Sequence, residues 1–264
     1  MRLDCARAIL GKGRYWTTAY YLDGLLIDSG CAHTAPLFLD ALAGLPLCTL
    51  VNTHSHEDHI GANRLLQGRI ADLEILAHPL AIPVLAAPAE RQLLQLYRRQ
   101  IWGIPGPSNA HPLRDGSILR TAHHELHVMF TPGHSPDHIC LYAPEHGWLF
   151  SGDLYVGGRE RALGSSYDIW GILDSLRKMA ALEVKTLFPG CARVRQAPQA
   201  ELQAKIQYLE QLGDQIHRLH QRGLGIAAIT RQVCGGPMLI EVLTGGRFSR
   251  RNLVRSFLRG EPRD

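Results

Sequence analysis

Seven consecutive residues, Thr53-His54-Ser55-His56-Glu57-Asp58-His59, concentrate three imidazoles and two carboxylates. His54 and His56 are two apart in what reads as extended chain, so both rings point to one side. Asp58 and His59 follow where a helix is expected to begin, and turn toward a neighbouring point. The motif thus offers two nitrogens to one cation and a carboxylate with a nitrogen to a second. Imidazole and carboxylate together suit zinc, iron or manganese without selecting sharply among them. A chance polar loop with Asp58 as helix cap is the competing reading, and the density of ligand types directly after an apolar run argues against it. Two later turns add to the set: Thr131-Pro132-Gly133-His134 brings an imidazole, and Ser151-Gly152-Asp153 a carboxylate.

The elements that must carry these groups are short. Residues 15–28 read as two strands around the turn pair Asp23-Gly24. Leu47–Val51, His127–Phe130, Trp148–Phe150 and Thr186–Phe188 are apolar runs, each ending in turn residues. Helical stretches are expected at 35–43, 58–66, 79–100 and 168–182. Brief strands interleaved with helices make an α/β sheet fold, and the potential ligands all fall just past strand C-termini, the edge where such sheets build their sites. From residue 196 the character changes. Leu202, Ile206, Leu209 and Leu212 recur at helical spacing, and Ser249 is suited to cap a last helix. The expected division is a catalytic domain over 1–195 and a helical C-terminal extension over 196–264, packed on it.

Composition excludes several classes. Of 264 residues, 45% are hydrophobic and 20% charged, a balance that supports a real core rather than disorder. No apolar run approaches the ~18 residues needed to span a bilayer, and the first residues lack a secretion signal's apolar stretch. Six scattered cysteines are no disulfide framework, so a reducing, cytoplasmic setting is expected. The net charge of +4 gathers at Arg247, Arg250, Arg251, Arg255, Arg259 and Arg263. These cations suit the C-terminal end of a solvated helix. Without interleaved aromatics they do not predict a nucleic-acid partner; a small-molecule substrate is expected, with no membrane partner and with a homodimer left open.

The order HxHxDH, PGH, GD and a final PG-x loop resembles the metallo-β-lactamase superfamily over roughly residues 15–195, and the glyoxalase II-like and general hydrolase branch fits best. Asp28-Ser29-Gly30 is similar to the family's early Asp-x-Gly turn. The resemblance implies an αββα four-layer sandwich. It also implies that His54, His56 and His134 hold one metal, that Asp58 and His59 hold a second, and that Asp153 bridges them. The bridging aspartate separates this chain from the branch that cleaves β-lactams, and His56 from the flavin-linked diiron branch. One position departs from the pattern: the last loop ends in Cys191 where the family usually has histidine. A thiolate there would bind zinc at ~2.3 Å; the alternatives are a protonated thiol beside an empty second site, or oxidation-sensitive ligation. His138 is read as a residue that orients its loop.

The expected chemistry is hydrolysis of an ester-like bond by a hydroxide shared between two divalent ions ~3.5–4 Å apart, with zinc first and iron or manganese as alternatives. Asp58 doubles as ligand and proton acceptor. Thioesters and carboxylic esters or lactones are favoured, with phosphodiesters in reserve. Tyr155, Arg159 and Tyr167 are the candidates for substrate contact, along with Tyr97, Trp102 and Trp170, the two tryptophans serving equally well as core. Two readings compete with hydrolysis. One is a mononuclear iron enzyme resembling sulfur dioxygenases, with iron on His54, His134 and Asp153. The other is a metal-binding regulator with little turnover.

Overall fold

Alternation along the strands sets the layering. In the computed structural model, which describes residues 1–9, 12–92 and 94–260, one sheet runs β1 (Arg2–Ile9), β2 (Lys12–Leu22), β3 (Leu25–Ile27), β4 (Thr49–Asn52), β5 (Glu74–Ala77) and β6 (His111–Pro112). Arg263, the last of the basic stretch, lies outside the described residues. The first three strands pair antiparallel and β3 to β6 pair parallel. The second sheet contains β7 (Ile118–Arg120), β8 (Glu125–Phe130), β9 (Ile139–Ala143) and β10 (Trp148–Gly152). A two-stranded ribbon joins β11 (Leu163–Gly164) to a late strand. The second sheet ends with β12 (Thr186–Pro189), parallel to β10, and β13 (Arg195–Gln196).

Leu25, Ile27 and Val51 face inward, against Val128, Ile139, Leu141 and Phe150 of the second sheet. Their neighbours Leu26 and Leu50 face outward, with Ile75, onto a helical layer. That layer holds α1 (Ala35–Ala41), α2 (Asn63–Arg69) and α3 (Ile82–Ala86), which contribute Phe38, Leu66 and Leu85. Two further short helices follow, α4 (Pro88–Arg91) and α5 (Leu96–Ile101). On the far side, Cys140, Tyr142, Leu149 and Leu187 pack against α6 (Ile169–Ala180) and α7 (Gln199–Gln221). The result is the αββα sandwich, each sheet apolar on both faces, as strands buried on two sides require.

Two helical expectations need correction. The helix expected over 58–66 begins at Asn63. Residues before it turn instead, because the His59 carbonyl accepts from Ser29 N and Gly61 N donates to Gly30 O. Gly61 lies so close to this strand end that a Cβ would meet the Cys31 carbonyl carbon at 2.2 Å. The single helix expected over 79–100 is three pieces: Pro83 sits in the first turn of α3, Pro88 opens α4 and breaks it from α3, and Gln92 leaves α4 in extended backbone before α5.

The C-terminal helices complete the second outer layer. They are α8 (Ile226–Cys234), α9 (Leu239–Leu243) and, after β14 (Phe248–Ser249), α10 (Arg250–Arg259). Ser249 caps α10 by accepting from Asn252 N at 3.1 Å, as its side chain suggested. Buried Phe257 from α10 stands edge-on to Trp170 with centroids 5.4 Å apart and lies against Gly213 of α7. The same helix receives Ile169 N on Ser256 Oγ, so it pins the start of α6. We expect Phe257→Ala to lower the unfolding free energy by about 3–5 kcal/mol, measured by urea denaturation. A loss under about 1 kcal/mol would mean that α10 does not share this core.

Candidate metal centre

Four strand ends converge. Because β10 and β12 run parallel in one sheet, Gly152 and Pro189 lie side by side. The sheets are joined across the gap by Ile139 N donating to Thr53 O at 2.8 Å, and the loops by Gly190 N donating to Gly152 O at 2.7 Å. This is what brings residues 54, 134, 153 and 191 together from four separate stretches of chain.

Three imidazole nitrogens meet at one point: His54 Nε2 and His134 Nε2 each lie 3.0 Å from His56 Nδ1. A second group, His54, His59 and Asp153, also places its ligand atoms within one ion's reach. Asp153 stands between the two, with Oδ2 3.6 Å from His134 Nε2 and Oδ1 3.4 Å from His59 Nε2. Asp58 Oδ2 is 3.9 Å from His59 Nε2. Cys191 follows Gly190, where a Cβ would meet Asp153 Oδ1 at 2.8 Å, so its loop lies against that carboxylate. His59 Nε2 and Asp153 Oδ1 are buried and have no hydrogen-bond partner. Unpartnered buried nitrogen and oxygen aimed at each other are costly unless something binds them, and this donor set is that of a divalent cation.

The ring orientations have a structural cause. Asp28, at φ 61°, turns at the end of β3. Its Oδ1 accepts from Thr53 N at 2.7 Å, and its Oδ2 from Thr53 Oγ1 and from His59 Nδ1, each at 2.8 Å. Donating its only proton to Asp28, the Thr53 hydroxyl accepts from His54 Nδ1, 3.0 Å away. His54 therefore presents a bare Nε2 to the site, and the His59 ring is held with its Nε2 facing the site. Asp137 accepts from Ser55 N, and His138 Nε2 accepts from Asp153 N. Gly152, at φ 46°, leaves no room for a side chain: a Cβ would meet His138 Nε2 at 2.6 Å.

Electrostatics separate the two groups. Burial, aided by the neighbouring imidazoles, holds His54 and His56 well below the ordinary histidine range, and burial also lowers His134. Neutral imidazole is the ligand form. For His59 burial pulls the same way, but the carboxylates of Asp153, Asp28 and Asp58 outweigh it and push the ring well above that range. Asp153 is correspondingly held far below the usual carboxylate range, burial being overcome by His59. Burial raises Asp58 to about 7 against the pull of His59. Burial and the Asp153 charge push the Cys191 thiol well up.

Tyr167 is the only one of the three expected substrate residues that meets this cluster: its ring lies 4.5 Å from that of His134 and stacks at 5.9 Å on that of His56. Tyr155 is instead a core residue, 2% exposed, its hydroxyl donating to Glu201. Arg159 spreads over the ring of Tyr208 on α7. Both follow Asp153 in sequence, but the chain after it turns toward α7. Sequence reading also missed the pair formed by fully buried Glu57 and Arg98 of α5, a two-pronged contact behind the metal loop. Nothing in the spacing of residues 57 and 98 announces it.

The Metallo-beta-lactamase superfamily model matches residues 17–191, and the chain belongs to that superfamily. It is similar to the hydroxyacylglutathione hydrolase of Synechococcus sp. (strain JA-3-3Ab), 34% identical over 145 residues that cover 53% of this chain and 49% of that one. The chain spans about half the length of the curated relatives it matches. Among solved structures, the metallo-beta-lactamase family protein TTHA1429 from Thermus thermophilus shares the fold with TM-score 0.68 at 21% identity, covering 97% of this chain and 90% of its own. TTHA1623, solved in a di-iron-bound form, gives TM-score 0.56 at 30% identity, covering 71% of this chain and 93% of its own. The fold and the His/Asp cluster together make this a metal-binding member of a hydrolase superfamily.

His138 generates a prediction for the metal-free protein. Burial holds it down to about 3, against 6.5 for a free histidine. Between these values the unfolded chain binds a proton that the folded chain refuses, so this group's contribution is lost as pH falls from 6.5 toward 3. His138→Gln should flatten the acid limb of stability against pH by up to about 1.4 kcal/mol per pH unit. Urea denaturation of chelator-treated protein from about pH 4 to 6.5 measures it; parallel limbs for the two proteins would count against the buried neutral ring.

Proposed function

We propose that this chain is a two-metal hydrolase of ester-like bonds, with thioesters favoured and carboxylic esters or lactones next. The observation that carries the reading is Asp153, whose two oxygens face two separate groups of ligand atoms. In this reading His54, His56 and His134 hold one cation. Asp58, His59 and Cys191 hold the other, and Asp153 is shared. Bound there, divalent cations supply Lewis acidity to a carbonyl oxygen and acidify water toward neutrality. The relatives named hydroxyacylglutathione hydrolase, thioester hydrolases by name, support the thioester.

The chain's own groups do the rest. Asp58, with an oxygen 3.9 Å from His59 Nε2, takes up the proton lost by the attacking water. His59 Nε2 is held in place from behind by Asp28, so it does not turn away during the reaction. The Tyr167 hydroxyl, pushed up by burial, stays protonated, and its ring walls the His134 side and excludes water there. No helix among the described residues is long and apolar enough to cross a membrane, and a small-molecule substrate is the partner this reading requires.

Protein purified without added metal or chelator should carry about two equivalents of metal per chain by elemental analysis. Cys191→Ala should bring it to about one, and Cys191→His should restore two. Two equivalents in both wild type and Cys191→Ala would remove the thiol from the ligand set. The di-iron form of TTHA1623 makes iron the alternative to zinc. One equivalent of iron with oxygen uptake on a persulfide would transfer the function to sulfur oxidation.

On a panel of small thioesters, lactones and aryl esters, turnover should vanish with chelator and return with metal. Asp58→Ala should lower kcat by at least about 10²-fold while far-ultraviolet dichroism stays unchanged. A metal-loaded protein that turns over none of the panel would favour a regulator.

A further inference from the structure

Two short helices spend apolar side chains on solvent. Neither α5 nor α9 contributes a buried residue, yet Leu96 is 74% exposed, Val242 74% and Leu243 59%. Between them lies a groove of about 490 Å³, lined by Leu96, Tyr97, Ile101 and Leu243 with Gln95, Gln100 and Thr244. That volume falls in the range of small-molecule sites, and no charged side chain is part of the lining. Gln95 Oε1 in its wall is buried without a partner.

Both walls are anchored to the metal centre. On one side Arg98, next in sequence to Tyr97, grips Glu57 within the His54–His59 loop. On the other, the chain leaving α9 pairs as β14 with β11, and Arg247 O accepts from Ser165 N at 2.8 Å. Two residues further on is Tyr167, stacked on His56 and tilted against His134. Tyr97 lines the groove beside Arg98, and Thr244, three residues before Arg247, lines it from the other wall. The groove is therefore bracketed by the segments that carry the metal loop and its aromatic wall.

We propose that this groove receives the apolar acyl or alkyl arm of the substrate whose ester bond is cut at the metals, a reading that rests on the hydrolase function above. It selects substrates with an extended hydrocarbon arm over those whose arm is charged. A second copy of this chain is the competing occupant, but it would not explain why both walls are tied to the loop that bears the metal ligands.

The test is calorimetric binding of S-ethyl- and S-octyl-N-acetylcysteamine, thioethers that no hydrolase can cut. Burial of a methylene is worth about fourfold in affinity, so covering two or more makes the octyl compound at least about tenfold tighter. Leu96→Asp and Leu243→Asp, at exposed positions, should collapse that ratio below about threefold, whereas Leu37→Asp on the opposite helical layer should keep it. Equal affinity for the two thioethers, or a ratio that survives both groove substitutions, overturns the proposal. So does self-association in sedimentation velocity that Leu243→Asp dissolves, if the two thioethers bind alike. A chain that prefers the octyl thioether but hydrolyses neither acetyl nor octanoyl thioester supports the groove and refutes the hydrolase reading. One that hydrolyses both yet binds the two thioethers equally does the reverse.

Discussion

The buried carboxylate of Asp28 governs more of this site than any ligand does. It lies at the end of β3, in a left-handed turn, and accepts from the backbone and hydroxyl of Thr53 and from the ring of His59. Through Thr53 it sets the ring of His54; directly it sets that of His59. One side chain thereby fixes the ring orientation of a histidine from each group, and does so from the end of a strand. Without it, the His54 ring would be free to turn a proton toward the cluster and the His59 ring would lose its hold.

The cluster is a concentration of unsatisfied groups placed where water is scarce. Three imidazoles are kept neutral by burial, a fourth is pulled toward charge by three carboxylates, and two polar atoms go unpartnered. Such an arrangement would be a defect in a structural core. It persists because the surrounding elements over-determine it: two sheets stitched through Ile139 and Thr53, and loops stitched through Gly190 and Gly152. A cation relieves the orphaned atoms and leaves the scaffold unchanged.

The outer helices serve the same end from further away. The pair of Glu57 and Arg98 fastens α5 to the back of the metal loop, and breaking one partner would leave a buried charge alone. On the opposite side α10 holds the start of α6, and Asp168 N at that start donates to Gly133 O, just before His134. Layers that supply no ligand thus determine how the ligand loops sit.

Much of the candidate centre was legible in the amino-acid order because groups able to hold a metal are few, of restricted type and close behind strand ends; residues 54, 56, 58, 59, 134 and 153 stand out in that way. The alternation of Leu25, Leu26 and Ile27 likewise encodes two buried faces within three residues. Tertiary structure decided the rest. Local periodicity carries no information on which side of the sandwich the chain after Asp153 follows, so Tyr155 looked available and proved to be core while Tyr167 reached the histidines. Nor does it contain the partner of Glu57, forty-one residues away on a separate short helix. Ligand type and strand end are local properties written in sequence; orientation and partnership are set by distance in space, which only the packed layers define.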